Sequence, residues 1–290
     1  MRKIVITGAN GQLGSELRFL SPRFPEYVFR FTDYDTLDIT DAGEVELYFK
    51  NERPDFVINC AAYTAVDQAE KEPAAAALLN GEAPGILSAA CRTHAALMIH
   101  ISTDYVFDGK SHRPYRESDP TDPLGIYGKT KLEGELRCLG ESDAMVIRTS
   151  WLYSSFGRNF VKTMMEKGVS EKSLKVVFDQ VGSPTYAGDL ASAIMEIIGK
   201  STGNETGWSP GIYHFSNEGV CSWYDFAQVI HRVAGIECRV TPVASAEFPV
   251  LAQRPLYSVL DKSKIKLSFG LCIPWWMDSL PHCVQLIKNK

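Results

Sequence analysis

The sequence predicts an α/β protein, a doubly wound parallel sheet with a smaller C-terminal lobe, and three observations carry that expectation. A β-branched run near the N-terminus, Lys3-Ile4-Val5-Ile6, flows directly into a glycine-rich turn. Strand-like and helix-like patterns then alternate to about residue 150, as parallel strands joined by right-handed crossovers require. After Ser150 the pattern loosens into proline-bearing turns at Ser183-Pro184-Thr185, Ser209-Pro210-Gly211 and Phe248-Pro249. The expected division is a nucleotide-binding domain over residues 1–150 and a mainly substrate-covering lobe over residues 151–290. Some strands of the second half are expected to extend the first sheet.

The first strand ends in Thr7-Gly8-Ala9-Asn10-Gly11-Gln12-Leu13-Gly14, after which a helix runs through Glu16 and Leu17 to Leu20. Glycines at 8, 11 and 14 are a spacing variant of the dinucleotide fingerprint and make the first domain Rossmann-like. They permit a tight turn and close approach of backbone to a pyrophosphate, and the helix N-terminus supplies N–H donors to the anion. A second strand, Tyr27-Val28-Phe29-Arg30-Phe31-Thr32-Asp33, ends in an acid about twenty residues after the glycines, where a carboxylate binds an adenosine ribose. Asp33 suits a free 2′-hydroxyl better than a 2′-phosphate; the alternative is an ordinary strand-end turn aspartate. Leu37-Asp38-Ile39-Thr40-Asp41 is a loop closing in a helix cap. Asp55 to Ala62 is a third strand opening into small residues, and Ala61 and Ala62 leave room for a cofactor. Pro73 to Thr93 is a long helix kinked at Gly81, Pro84 and Gly85. Ala96 to Thr103 is a fourth strand that delivers Thr103 to its C-terminal end, where ligands of open α/β sheets sit. Ala144 to Thr149 is a further buried strand. Beyond it, helices are expected at about 187–199 and 224–233, and Trp275 and Trp276 as core or interface anchors of a final helix.

Composition excludes several classes. With 290 residues and 45% hydrophobic content the chain has ample material for a core. A net charge of −5 with scattered Lys and Arg gives no nucleic-acid face. The N-terminus reaches Gly8 too soon for a secretory segment, and no apolar run spans a membrane, so a cytoplasmic protein is expected. Seven cysteines and six histidines show no metal-ligand spacing, and reduced thiols with no metal site are expected.

The chemistry is concentrated in Ser102-Thr103-Asp104 and Tyr127-Gly128-Lys129-Thr130-Lys131. Tyr127 and Lys131 lie one turn apart on one helix face. A nearby ammonium pulls a phenol's pKa down from roughly 10, which would make Tyr127 a proton donor to a carbonyl oxygen receiving a hydride. The Thr103 hydroxyl would steady that oxygen. Alone, Tyr-x-x-x-Lys also describes a solvated helix face with an aromatic foot in the core.

Taken together, Gly8-x-x-Gly11-x-x-Gly14, Asn59-Cys60-Ala61-Ala62, Ser102 to Gly109 and Tyr127-x-x-x-Lys131 resemble the extended short-chain dehydrogenase/reductases. Leu37 to Asp41, Tyr63 to Glu70, Pro123 to Lys131, Arg148 to Tyr153 and Arg254-Pro255 are similar, more narrowly, to the family of reductases acting on dTDP-4-dehydrorhamnose. That resemblance spans nearly the whole chain. It implies NADH- or NADPH-dependent reduction of the 4-keto group of dTDP-4-dehydro-β-L-rhamnose to dTDP-L-rhamnose, for surface polysaccharide. Tyr127 is then the acid, Lys131 holds the nicotinamide ribose and biases Tyr127, and Thr103 binds the carbonyl oxygen. Asp38 and Ile39 fall beside the adenine, and Tyr63 joins Ala61 and Ala62 along the cofactor. Val66, Asp104, Tyr105 and Trp151 line the sugar, and Arg254 takes the diphosphate through bidentate hydrogen bonds, against the alternative of a surface ion pair. Some family members are magnesium-bridged dimers; Glu16 and Asp189 match acids used there, but the tail Leu286 to Lys290 offers none, so a monomer or weak homodimer is expected. The rival readings are a non-catalytic nucleotide-binding regulatory subunit, and an epimerase or dehydratase on another nucleotide sugar. The intact Thr103, Tyr127 and Lys131 set weighs against the first, and the lack of an Asp-Glu pair at Asp104-Tyr105 against the second.

Overall fold

The computed structural model describes residues 1–202, 207–248 and 250–289. Pro249 of the expected Phe248-Pro249 turn and Lys290 of the tail lie outside them. The frame is a six-stranded, wholly parallel sheet. Its strands are β1 (Arg2–Thr7), β2 (Tyr27–Phe31), β3 (Phe56–Asn59), β4 (Leu97–Thr103), β5 (Met145–Thr149) and β10 (Gly211–His214). The spatial order is β10-β5-β4-β3-β1-β2, so the order reverses between β1 and β3, and the crevice at their C-terminal ends is where this architecture takes ligands. Ile4, Val5 and Ile6 of β1 are fully buried, which is why that strand is a continuous β-branched run.

Helices cover both faces. On one, α1 (Gln12–Leu20) packs beside α8 (Ala187–Thr202), whose Leu190, Ile194, Ile197 and Ile198 join Ile4, Ile6 and Ile58 in one core. On the other, Val45 and Phe49 of α2 (Ala42–Glu52) and Leu87 and Cys91 of α5 (Ala83–Thr93) meet Val5, Val57 and Val146. Asp41 caps α2 by accepting from the N–H groups of Gly43 and Glu44. The long helix expected from Pro73 to Thr93 does run through, but the interruption at Gly81 is a π-turn rather than a sharp kink. It comprises α4 (Pro73–Ala77), a π segment Leu78–Glu82, and α5. The extra residue turns Asn80 inward, where Oδ1 accepts from Tyr63 N–H at 2.8 Å and Nδ2 donates to Thr130 Oγ1 at 3.2 Å.

Three elements from beyond residue 150 thus complete the first layer: β10, α8 and α10 (Ser263–Phe269), whose Ile265 and Phe269 join the first core. The rest of the second half has its own core. It is built from Val161 and Met164 of α7 (Phe160–Ser170), Phe226 and Ile230 of α9 (Trp223–Ala234), and Leu280 and Val284 of α11 (Trp276–Lys288), closed by the parallel pair β7 (Ser173–Val177) and β12 (Arg239–Val243). Trp276 is a core residue, while Trp275 is 46% exposed at the N-cap of α11. Between the two cores, β6 (Leu152–Tyr153) pairs with β9 (Thr185–Tyr186), and β8 (Val181–Gly182) with β11 (Cys221–Ser222). No helix among the described residues is long and apolar enough to cross a membrane.

Candidate active site

A cleft of about 950 Å³ opens along the C-terminal ends of β1, β3, β4 and β5 and is roofed by the second lobe. One end is a dinucleotide cradle. Gly8 has φ +62°, and a Cβ there would stand 2.6 Å from Ala61 N, so only glycine allows the turn and the close pass of β3. Gly11 precedes α1 with no side-chain cap, which leaves the first-turn N–H groups facing the cleft. Gly8, Gly11, Gln12 and Leu13 line it with Ala61 and Ala62, and Asp33, Asp38 and Ile39 close the far end. Asp33 is fixed by accepting from Asn10 N–H at 2.9 Å and Tyr34 N–H at 2.9 Å. The residues fit a nicotinamide dinucleotide: a glycine turn at a helix N-terminus, a carboxylate at the far end and small side chains in sequence along one groove.

The other end holds the reactive side chains. Thr103, Asp104 and Tyr105 turn off β4, and Tyr127 and Lys131 stand on α6 (Ile126–Glu141), whose first N–H donates to Glu70 Oε1 at 2.8 Å. Gly128 lets the two segments touch, since a Cβ on it would lie 2.2 Å from the Tyr105 carbonyl oxygen. The rings of Tyr105 and Tyr127 meet edge to face at 5.4 Å. Thr103 Oγ1 donates to Asp104 Oδ1 at 3.1 Å and accepts from Tyr105 N–H at 3.2 Å. Burial raises Asp104 to a pKa of about 6 against the pull of the Ser258 and Thr103 hydroxyls. Underneath, Arg148 and Glu135 form an ion pair at 2.7 Å with side chains 2% and 1% exposed, and Glu135 also accepts from Ser102 Oγ. This buried pair anchors β4, β5 and α6 to one another.

Several expectations need correction. Lys131 does not lower the Tyr127 pKa in this structure. Burial pushes the phenol up to about 12, with the Thr103 hydroxyl pulling down and Asp104 pushing up. Lys131 Nζ is turned into β4, where it donates to the Ile101 carbonyl at 2.6 Å, and burial brings it down to about 8. Tyr63 turns its phenol away from the cleft to Glu72, 2.6 Å from Oε2. Asn10 and Gly14 shape the turn without lining the cleft. Arg254 is not in the wall either: Nη2 is paired with Asp67 Oδ2 at 2.9 Å, behind Val66 and Tyr105, while Nη1 is buried without a hydrogen bond among the described residues. Glu16 is buried and accepts from Ser154 Oγ, and Asp189 accepts from Asn217 Nδ2 at 2.6 Å, so neither presents a free carboxylate. No cluster of three or more potential metal ligands occurs among the described residues.

Two features escaped the sequence reading. The first is how Trp151, already named for the sugar wall, is held: its backbone is left-handed, φ +49°, and its ring stacks on Trp223 at 3.6 Å and 8°. The Gly157-Arg158 turn brings Arg158 into the cleft wall beside the glycine loop, and Asn159 Nδ2 donates to Gln12 Oε1 at 3.0 Å. Both contacts join residues more than seventy positions apart, and nothing local announces them.

The chain matches known proteins along nearly its whole length. The family described as RmlD substrate binding domain matches residues 1–289. The chain is 42% identical over 286 residues to the spore coat polysaccharide biosynthesis protein SpsK of Bacillus subtilis, with 98% of each chain covered. It is 41% identical to a dTDP-4-dehydrorhamnose reductase of Aggregatibacter actinomycetemcomitans, covering 97% of this chain and 98% of that one. A dTDP-4-dehydrorhamnose reductase of Bacillus anthracis, solved in complex with NADP, superposes with a TM-score of 0.92 at 40% identity, over 98% and 99% of the two chains. The glycine turn, the Thr103, Tyr127 and Lys131 cluster and these end-to-end matches place the chain in the RmlD substrate-binding-domain family, that of the dTDP-4-dehydrorhamnose reductases.

Proposed function

We propose that the protein reduces the 4-keto group of dTDP-4-dehydro-β-L-rhamnose with NADPH or NADH, giving dTDP-L-rhamnose for surface polysaccharide. The observation that carries it is the convergence of Thr103 and Tyr127 at the end of a cleft whose other end is a dinucleotide cradle. When bound, the dihydronicotinamide supplies the hydride to C4. Tyr127, kept protonated by burial, donates its phenolic proton to the sugar's 4-oxygen as negative charge develops there. Thr103 donates a second hydrogen bond to that oxygen by exchanging its Asp104 acceptor for the substrate. Lys131 rotates from Ile101 into the cleft to hold the nicotinamide ribose. Tyr105, Val66 and Trp151 close on the sugar, and Arg254 reaches the diphosphate only by turning from its Asp67 partner behind that wall into the cleft.

Tyr127→Phe tests the reading, because it keeps the ring and deletes only the proton donor. Single-turnover oxidation of NADPH by dTDP-4-dehydrorhamnose should fall about 10² to 10⁴-fold, with NADPH affinity unchanged. A wild-type rate in this variant would refute Tyr127 as the acid. A wild-type protein that binds NADPH but never oxidises it with any 4-keto dTDP-sugar would favour a regulatory subunit.

A further inference from the structure

Behind the catalytic pair lies a line of buried polar side chains that the reaction as described does not use. Asn59 ends β3, His100 lies beside it in register on β4, and both are fully buried. Asn59 Oδ1 accepts from Thr7 Oγ1 at 2.7 Å and from Ala61 N–H at 3.1 Å. A backbone N–H can only donate, so the amide oxygen must face Ala61 and the amide NH₂ must face His100 Nδ1, 3.1 Å away. Nδ1 is therefore an acceptor. The ring is neutral, because burial and the Lys131 charge hold its pKa well below the ordinary histidine value. A neutral imidazole that accepts at Nδ1 carries its proton on Nε2. That N–H faces Lys131 Nζ at 3.4 Å, and an ammonium has no lone pair to receive it.

We infer that His100, oriented by Asn59, is a positioning residue for Lys131: its Nε2–H accommodates the amine and opposes the ammonium against β4, driving the charged form toward the cleft. There the cofactor's ribose hydroxyls take the hydrogen bonds that His100 refuses, an assignment that rests on the role given to Lys131 under Proposed function. The other groups around Nζ do not supply this bias. Glu135 and Cys138 on α6 and Cys60 after β3 each favour the ammonium. Glu135 is already committed to Arg148 and Ser102, and burial keeps both thiols protonated. Tyr127, one turn before Lys131, is a neutral phenol. Asp104, the remaining acid of the site, stands beyond Thr103 and has its own partners there.

The test uses the full chain and needs no sugar. NADPH affinity is followed by fluorescence from pH 6.5 to 9.5 for the wild type, His100→Leu, Asn59→Asp and Lys131→Met. Wild-type Kd should rise as pH passes about 8 and the ammonium is lost; Lys131→Met should abolish that rise. His100→Leu removes the opposing N–H, and Asn59→Asp draws the imidazole proton to Nδ1 and leaves Nε2 an acceptor. Both should move the rise to higher pH by roughly half to one unit, the worth of one hydrogen bond to the neutral amine. A midpoint unchanged in both variants, with affinity lowered equally at every pH, would reduce His100 to a structural role and overturn the inference. So would a wild-type Kd flat across this range. On the unmutated protein, ring-nitrogen NMR shifts of His100 should show the Nε2–H tautomer, and the Nδ1–H tautomer would overturn the inference even if no variant folds. Failure to turn over dTDP-4-dehydrorhamnose would sink the proposed substrate and leave these measurements intact.

Discussion

Gly128→Ala places one methyl group at the joint between the two catalytic segments. Its Cβ would lie 2.2 Å from the Tyr105 carbonyl oxygen and 2.9 Å from Pro123 Cβ. A carbon–oxygen contact relaxes at about 3.2 Å, so α6 and the turn after Thr103 must part by about 1 Å. The oxygen belongs to backbone and no rotamer change relieves it. Overpacking of this kind costs about 1–3 kcal/mol, and alanine's helix propensity returns about 1, so the net loss of stability should be about 0–2 kcal/mol. The larger effect falls on chemistry, since Thr103 and Tyr127 sit on opposite sides of the joint and a misplacement of about 1 Å costs about 10²-fold in rate. The assay is kcat for NADPH oxidation with dTDP-4-dehydrorhamnose, alongside NADPH Kd and thermal unfolding. Kd should change far less than kcat, because Gly8 and Gly11 are remote from the joint, although Lys131 rides on α6. Gly140→Ala, on the same helix with nothing near its Cβ, is the control and should leave kcat untouched. A Gly128→Ala enzyme with wild-type kcat would refute the claim that this glycine sets the distance between Thr103 and Tyr127.

Other outcomes follow from the same geometry. Arg148→Leu leaves Glu135 buried without its cation and should cost about 3–5 kcal/mol in chemical denaturation; a loss under about 1 kcal/mol would mean the carboxylate is neutralised in another way. Asp104 has its folded pKa raised to about 6, so it opposes folding once ionised. Wild-type stability should therefore decline, relative to Asp104→Asn, as pH rises from about 4 to 6, by at most about 3 kcal/mol. Parallel stability curves for the two proteins over that range would remove the buried carboxylate from the account. Arg254→Ala should raise KM for the dTDP-sugar far more than KM for NADPH, and equal effects would take Arg254 out of the diphosphate site.

What the sequence determined by itself was everything set by local spacing. The β-branched run entering a glycine turn at Gly8 and the i, i+4 placement of Tyr127 and Lys131 on one helix are properties of short segments, and the parallel sheet follows from alternating periods. The strand that carries Thr103 to the cleft was legible for the same reason. The tertiary structure decided which way the side chains turn and what they titrate against. Lys131 was expected beside the Tyr127 phenol, yet its Nζ donates to the Ile101 carbonyl and its neighbour is His100, because β4 lies directly beneath α6. The Tyr127 pKa rises because burial, helped by the Asp104 charge, outweighs the Thr103 hydrogen bond. The stacking of Trp151 on Trp223, the pairing of Arg254 with Asp67 and the entry of Arg158 beside the glycine loop each join distant parts of the chain. A spacing rule reaches one helical turn or one strand, whereas these contacts exist only after both cores have closed, so packing alone assigned them.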